Sequence, residues 1–453
     1  MFIDTHAHLF FENFKEDVDD VINRAKENGV DYIIVPATDI KTSKEAIALA
    51  EKYEQVYATI GIHPHDTKDW NETFVPQIEA LAKHPKVVAV GEIGLDYYYD
   101  FSPKELQIKA FKSQLDLAIK LELPVVIHNR DSDVDMMDII QSYCHTGLKA
   151  QFHCYNGSLD DALEFMKMNH FISFTGNITF KKSDRLREIL KHIDLNHLML
   201  ETDSPFMTPV PFRGKRNEPA YVNYVAQQVA AVHKISLEDV GRITSLNTFR
   251  FFGIGKVPKT SFTYLLGNSL YINVTNRCNA DCTFCRRKED PFLRGYNLGM
   301  KKSEEPSSEV YIKEIGDPKK FDEIVFCGYG EPTIRWDVVR EVAKYVKASG
   351  GKTRINTNGH GNIINKKDIT PEMKDVIDVV SISFNTFDSK QYAELMRVSE
   401  EHFEEMKNFA RLAKQYVNKV VMSVVSLDEV EIEKSRKVVE DEIGVEFRVR
   451  EYF

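Results

Sequence analysis

The sequence predicts an α/β protein of two successive barrels, a closed (β/α)8 barrel of the TIM type and then a smaller, partial (βα)6 barrel. Three observations carry that expectation. Eight short apolar runs alternate with amphipathic helical patterns over residues 1–257, and strand alternating with helix eight times is the count for a closed parallel barrel. Six further strand-like runs follow from residue 269 onward, too few for a second closed barrel. At 453 residues the chain also exceeds what one hydrophobic core usually serves.

The runs of the first segment are "FIDTH", "DYIIVPAT", "VYATIGIHP", "VVAVGEIGLD", "PVVIHNR", "KAQFHCY", "FISFTG" and "LMLETDSP". Helical patterns separate them. In "SPKELQIKAFKSQLDLAIKL", Ser102, Pro103 and Glu105 suit the N-cap, N1 and N3 places of a capping box. Leu106, Phe111, Leu115 and Ile119 share one face of that helix. Gly253, Gly255, Pro258, Gly267 and Asn268 then interrupt both periodicities, so residues 258–268 read as a linker. The second segment, 269–453, has strands at "LYINVTNRC", "EIVFCGYGEP", "KTRINTNG", "VVSISFN", "KVVMSVV" and "VEFRVREYF". A helix at "WDVVREVAKYVKAS" stops at Gly350–Gly351. "KKSEEPSSE" reads as a short polar loop.

Composition narrows the function classes. Apolar residues make up 43% and charged residues 28%, ordinary for a globular protein, and no apolar run is long enough to span a bilayer. "MFIDTHAHLF" leaves no room for a signal peptide, and six scattered cysteines make no disulfide framework, so a cytoplasmic protein is expected. A net charge of −10 argues against a protein that coats duplex nucleic acid with a broad basic face. It leaves room for an enzyme that holds a phosphodiester with metal ions and a few local cations.

Polar residues in the first segment gather at strand ends, the face where chemistry sits in such barrels. His6 and His8 close the first strand on one side, Glu92 ends the fourth, His128 the fifth, His153 the sixth and Asp203 the eighth. Four imidazoles and two carboxylates make a ligand set for two divalent ions, with Glu92 suited to bridge them. A lone histidine is more often a surface or hydrogen-bonded residue, and His84, His145, His170, His192 and His233 are read so.

In order along the chain, "FIDTHAHL", "GIHPH", "GEIGLDYY", "PVVIHNRD", "ETDSP" and "RGKRNEPAYV" resemble the TatD family of metal-dependent hydrolases. The resemblance implies a two-metal hydrolase of the deoxyribonuclease type. His6, His8 and Asp203 would hold one ion and His128 and His153 the other, with Glu92 between. Glu92 and Asp203 are the candidate catalytic groups; Asp203 would take the proton of the attacking water or serve as a ligand only. His63, Arg130 and the Arg213–Glu218 loop are candidate substrate contacts. Mg, Mn and Zn all suit the donor set. The same ligands also suit a small-molecule amidohydrolase, so DNA or a nucleotide is the expected substrate with a cyclic amide as the rival.

The second segment opens on "VTNRCNADCTFCRR", in which Cys278, Cys282 and Cys285 are spaced C-x-x-x-C-x-x-C. Three thiols cannot close a tetrahedral zinc shell by themselves, and His360 and His402 lie far along the chain. Three cysteines leave one iron of a [4Fe–4S] cluster open, and an open iron can chelate the amine and carboxylate of S-adenosylmethionine (SAM). With the glycine-rich "GYGEP" after the next strand, the stretch resembles the radical SAM signature. That resemblance implies Gly328, Tyr329, Gly330, Glu331, Asn358 and Ser383 as SAM contacts. It also implies an external electron donor and cleavage of SAM to a 5′-deoxyadenosyl radical acting on an unnamed substrate. Arg286 and Arg287 read as a solvated face and Cys327 as a buried strand residue. The sequence stops directly after the sixth strand, and no closing C-terminal extension is expected. The whole reads as a hydrolase fused to a radical SAM domain. A nuclease with a cysteine-rich metal- or nucleic-acid-binding module is the alternative.

Overall fold

A computed structural model describes residues 1–450, the side chain of Lys288 excepted. The chain divides into two compact units, Met1–Val257 and Pro258–Phe453. The last three residues of the sixth expected strand of the second segment, 451–453, lie outside the described residues.

The first unit is the predicted eight-stranded barrel. Its strands are β1 (Phe2–Asp4), β2 (Val30–Pro36), β3 (Val56–Ile60), β4 (Val87–Asp96), β5 (Val125–Arg130), β6 (Ala150–Phe152), β7 (Phe171–Phe174) and β8 (Leu198–Leu200). They pair in sequence order, all parallel. The ring closes where Thr5 N–H donates to Leu200 O at 3.0 Å and Asp203 N–H to His6 O at 2.8 Å. That closure sets the His6–His8 segment beside Asp203.

Helices wrap the outside because their apolar stripes match the outward faces of the strands. Phe111 and Leu115 on helix Lys104–Lys120 and Phe165 on helix Leu159–Lys167 are buried there, in one core with Ile33, Val35, Ile127 and Phe152. A separate apolar set fills the barrel's N-terminal end, with Ile3, Ile34, Ala89, Val126 and Met199 packed on Phe251, Phe252 and Ile254. Above it the interior turns polar. Gln151 Nε2 donates to Thr5 Oγ1 and Ser173 Oγ, and Ser173 Oγ donates to Glu201 Oε2 at 2.7 Å. These bonds link β6 and β7 with the residues after β1 and β8, so they cross the inside and form a hydrogen-bonded polar layer beneath the strand ends.

Two local expectations change. Ser102 caps no helix: Pro103 precedes helix Lys104–Lys120 and the Ser102 hydroxyl donates to His65 O at 2.9 Å. Glu92 does not end its strand. β4 runs on to Asp96, and its register against β5 shifts between Val90 and Ile93, which sets Glu92 at an irregular point of the ladder.

In the second unit, the expected linker is not all linker. Thr263–Leu266 forms β9, a hairpin with β10 (Ser269–Asn273) across Gly267, whose φ is +60°. The alternation around "GN" was the available signal. A two-stranded ribbon follows, β11 (Phe292–Leu293) with β12 (Tyr296–Asn297). The main sheet continues through β13 (Ile324–Cys327), β14 (Thr353–Thr357), β15 (Val379–Ser383), β16 (Lys419–Val425) and β17 (Glu446–Arg450). Its order is β17-β16-β15-β14-β13-β10-β9: six parallel strands, as predicted, plus β9 antiparallel at the edge. Alternate residues divide by chemistry. Ile355, Val380, Ile382 and Met422 pack under helices Trp336–Ala348 and Glu401–Ala413, whereas Asn356, Ser381, Ser383 and Ser423 line a cavity.

Gly94 marks how tightly the first barrel is closed at its working end. Its φ is +144° and a Cβ there would lie 2.0 Å from His128 O on β5. Gly94→Ala is expected to destabilise the protein by about 2 kcal/mol or more, measured by denaturant unfolding. A loss under about 0.5 kcal/mol would show that β4 and β5 are not held so closely.

Candidate metal centre and cysteine-lined cavity

The strand ends of the first barrel converge on Glu92. Its Oε2 lies 3.4 Å from His6 Nε2 and 3.6 Å from His8 Nε2, while its Oε1 lies 2.9 Å from His128 Nδ1, 2.8 Å from His153 Nε2 and 3.4 Å from His63 Nε2. One carboxylate therefore faces two imidazole sets, one with each oxygen. On the first side the Nε2 atoms of His6 and His8 are 3.2 Å apart, and Asp203 Oδ1 stands 3.9 and 3.6 Å from them. Two ligands each about 2.1 Å from one ion lie roughly 3.0–3.5 Å apart, so this is the spacing of donors that share a cation. His6, His8 and Asp203 form one such set and His63, Glu92 and His128 another, each within 4.8 Å.

The charges ask for cations too. Glu92, Asp96, Glu201 and Asp203 are buried, and among the described residues no Lys or Arg pairs with any of them. Burial works to raise the Glu92 pKa, but the charges of His153, His63 and His6 and the His128 hydrogen bond hold it well below the usual range. Burial pushes His63 down to about 4, and its Nδ1 accepts from His65 N–H at 3.2 Å. The donor set fits two divalent ions, bridged by Glu92.

Supporting residues orient the ligands. Asp96 Oδ2 accepts from His128 Nε2 at 2.9 Å and from His65 Nε2 at 2.8 Å, which turns His128 Nδ1 toward Glu92. The backbone N–H groups of Tyr98 and Tyr99 donate to the other Asp96 oxygen. Gln107 on helix Lys104–Lys120 clamps the Asp96 backbone from both sides, and Gln114, two turns on, does the same for Ile62 beside His63. Glu201 Oε1 lies 3.7 Å from His153 Nδ1 and accepts from Cys154 N–H at 2.5 Å. His6 and His153 stack at 4.0 Å.

All six expected ligands are gathered here. His63, expected among the substrate contacts, stands at ligand range of Glu92 instead. Asp96, His65 and Glu201 were not singled out from sequence, although Asp96 closes "GEIGLD" and His65 completes "HPH". Arg130 is exposed, with its guanidinium 4.0 Å from the Tyr98 ring centre, and it lines a cavity of about 400 Å³ with His128, His153 and Asp203. In the Arg213–Glu218 loop, Arg216 pairs with Asp17 and Glu218 with Arg24, each at 2.7 Å, while Arg213 lies over Phe180. Those two ion pairs leave Arg213 as the loop's remaining contact candidate.

In the second unit, Cys278, Cys282, Cys285, Gly328, Tyr329, Gly330, Glu331, Asn358 and Ser383 all line one cavity of about 520 Å³. The cysteine loop and the glycine loop are tied together. Glu331 N–H donates to Arg277 O at 2.8 Å, and a Cβ at Gly330 would meet Thr275 O and Arg277 O at 2.3 Å. Arg277 is in turn held by Glu305 at 2.8 Å, a residue of the expected polar loop that the sequence did not mark. The Glu331 carboxylate is spent inside the fold, accepting from Thr333, from Thr357 Oγ1 and from Asn358 N–H. It braces β13 against β14, so its backbone is what it presents to the cavity. Asn358 Nδ2 donates to Asn279 Oδ1 at 2.8 Å and lies 3.9 Å from Cys278 Sγ. Cys327 is half-buried and faces the same cavity, not the core. Arg287 donates to Ala280 O at 3.1 Å and turns back onto the cysteine loop, and Arg286 lines the cavity as well.

Burial raises the thiol of Cys278 and pushes that of Cys282 up to about 12. Among the described residues, no three donors within 4.8 Å of one another include any of these cysteines. Thiolates that share one zinc ion sit closer than that, about 3.8 Å apart. The three thiols instead share the wall of the cavity of about 520 Å³, which has room for a group larger than one ion.

Residues 3–253 match the family described as TatD related DNase, and residues 272–439 match the Radical SAM superfamily. The uncharacterized metal-dependent hydrolase YabD of Bacillus subtilis is 44% identical over 254 residues, 56% of this chain and 100% of that protein. The 3′-5′ ssDNA/RNA exonuclease TatD of Musicola paradisiaca is 34% identical over 259 residues, 56% of this chain and 98% of that protein. The crystal structure of YJJV, a TatD homolog from Escherichia coli, aligns with a TM-score of 0.54 and 31% identity, covering 56% of this chain and 98% of that one.

Asp96 gives the sharpest test of the centre. Asp96→Asn is expected to weaken binding of the cation on the His128 side by about 10- to 100-fold, leaving the His6–His8 side within a few-fold. Calorimetric titration of metal-stripped protein with Mn²⁺ would show two unequal sites in place of the parent pattern. Equal weakening of both sites would refute the division drawn here.

Proposed function

The chain belongs to the TatD-related DNase family through its first domain and carries a radical SAM domain behind it, and on that premise we propose an enzyme with two active sites. The first removes nucleotides from single-stranded nucleic acid by metal-assisted hydrolysis. The second performs SAM-dependent radical chemistry. The observation that carries the first reading is the Glu92 carboxylate with one oxygen on each imidazole set.

In the first site His6, His8 and Asp203 would hold one divalent ion and His128, His153 and His63 the other. Bound there, the ions would supply a nucleophilic water at neutral pH and offset charge on the phosphoryl group. The rest falls to the protein. Burial works to raise the Asp203 pKa, but the His8 hydrogen bond and the neighbouring imidazoles hold it below its ordinary value, so it is ionised and able to take a proton. Asp96 fixes the ring of His128 through its hydrogen bond to Nε2. Nucleic acid is favoured over a cyclic amide by the rim: Tyr98, Phe101 and Phe206 are 58%, 57% and 52% exposed, close to His65, His8 and Arg130. Exposed aromatic faces beside a cation suit unpaired bases, at roughly 1–3 kcal/mol per stacked base.

In the second site Cys278, Cys282 and Cys285 would hold one [4Fe–4S] cluster, with SAM against the Gly328–Gly330 turn, Asn358 and Ser383. Reduced by an external donor, the cluster supplies an electron for cleavage of SAM. Gly328, at φ +105°, lets backbone approach a ligand where a side chain would strike Asn273. No helix among the described residues is long and apolar enough to cross a membrane. All six cysteines are free, which supports placement in a reducing cytoplasm.

Two measurements test the reading. The His6→Ala/His8→Ala variant is expected to lose hydrolysis of a 3′-labelled single-stranded oligonucleotide by about 100-fold or more, and retained hydrolysis would sink the first assignment. Under anaerobic conditions with a strong reductant, the parent should release 5′-deoxyadenosine from SAM and the variant with all three cysteines changed to Ala should release none. A colourless parent that holds zinc would instead support the binding-module alternative.

A further inference from the structure

Most polar side chains on the walls of the second cavity already have partners in the fold. Arg354 pairs with Glu323 at 2.7 Å and donates to Asn356 Oδ1 at 2.9 Å. Arg287 is turned back onto the cysteine loop. Arg448 and Arg450 differ. They stand two residues apart on β17, so their side chains leave the same face, and both line the cavity, whereas Phe447, the residue before them, packs in the core. Among the described residues neither guanidinium has a carboxylate partner, and Arg450 Nη2 reaches only Ser383 Oγ, at 3.4 Å.

We propose that Arg448 and Arg450 form an oxyanion-binding subsite for the molecule on which the second site acts, a substrate that carries a phosphate or carboxylate group. The proposal rests on the radical SAM reading and adds a substrate class to it. Two like charges on one strand face repel, and an anionic ligand between them would offset that repulsion. Each guanidinium presents a planar fork of donors that matches the oxygens of either anion. Position sets Arg448 apart from the expected SAM contacts, while Arg450 borders them at Ser383. β17 is the far edge of the sheet from β10, which leads into the cysteine loop, with β16, β15, β14 and β13 between them. The arginines therefore form the wall facing the cysteine and glycine loops. The hydroxyls of Ser381, Ser383 and Ser423 on the intervening strands add neutral hydrogen-bonding groups.

The test is calorimetric titration of the full-length, cluster-reconstituted protein with inorganic phosphate, with and without saturating SAM, and with SAM alone. In the Arg448→Gln/Arg450→Gln variant, phosphate affinity is expected to fall about tenfold or more while SAM affinity stays within about twofold. The parent should bind phosphate in the presence of SAM, and the Arg448→Lys/Arg450→Lys variant should keep part of the phosphate affinity. A parallel titration with succinate tells which oxyanion is preferred, and either preference upholds the subsite. Unchanged phosphate binding in the Gln variant would overturn the proposal. So would a matching loss of SAM affinity with phosphate displaced by SAM, since the arginines would then hold the carboxylate of SAM. Far-ultraviolet dichroism and the visible absorbance of the cluster, compared across variants, report whether each remains folded and loaded. If the parent took up neither cluster nor SAM, the radical SAM reading would fail. Arginine-dependent phosphate binding would still establish the anion subsite in that case.

Discussion

The first unit is organised around buried negative charge. Glu92, Asp96, Glu201 and Asp203 lie out of water with imidazoles as their partners, and no Lys or Arg among the described residues reaches them. Such a set is costly in a low-dielectric interior unless cations complete it. The surrounding features act to hold it in place: the Thr5–Gln151–Ser173–Glu201 layer beneath, the glutamine clamps from helix Lys104–Lys120, and the close contact at Gly94. The donor set is therefore suited to cations before any other ligand.

The two units use one repeating plan for opposite ends. In both, parallel strands alternate with helices and the outward strand faces are apolar. In the first unit the interior is filled, apolar at one end and hydrogen-bonded above, so that only the top is available for chemistry. In the second unit the inward residues are Asn, Ser, Cys and Arg, the sheet does not close, and the interior is a cavity instead of a core. An open sheet admits larger ligands. It depends correspondingly on loops, and the Glu331 and Glu305 carboxylates serve that need by tying the glycine and cysteine loops to the strands.

Much of this was legible along the chain because the signals are local. Eight apolar runs became eight strands, and six later runs became the six parallel strands of the second sheet. His6, His8, Glu92, His128, His153 and Asp203 meet in one centre, and the three cysteines share a cavity with every residue marked as a SAM contact. Where the reading fell short, the cause was a partner distant in sequence. Ser102 satisfied a capping pattern, yet its hydroxyl went to His65 O. Asp96 looked like the end of a strand and turned out to hold two histidines. The edge strand Thr263–Leu266 is the exception, read as linker although its partner lies just across a two-residue turn.

By itself the sequence determined the eight parallel strands of the first unit, the six parallel strands of the second and the donor chemistry of both candidate sites. Periodicity and residue type act over a few residues and survive without knowledge of the fold. The tertiary structure decided how these side chains are placed: which oxygen of Glu92 faces which imidazoles, that His63 stands among them, and that Asp96 bonds Nε2 of His128. It also decided that Arg448 and Arg450 face a cavity while Arg216 and Arg354 are spent in ion pairs. Those outcomes depend on distances between residues far apart in the chain, which ring closure and sheet order set and no local pattern encodes.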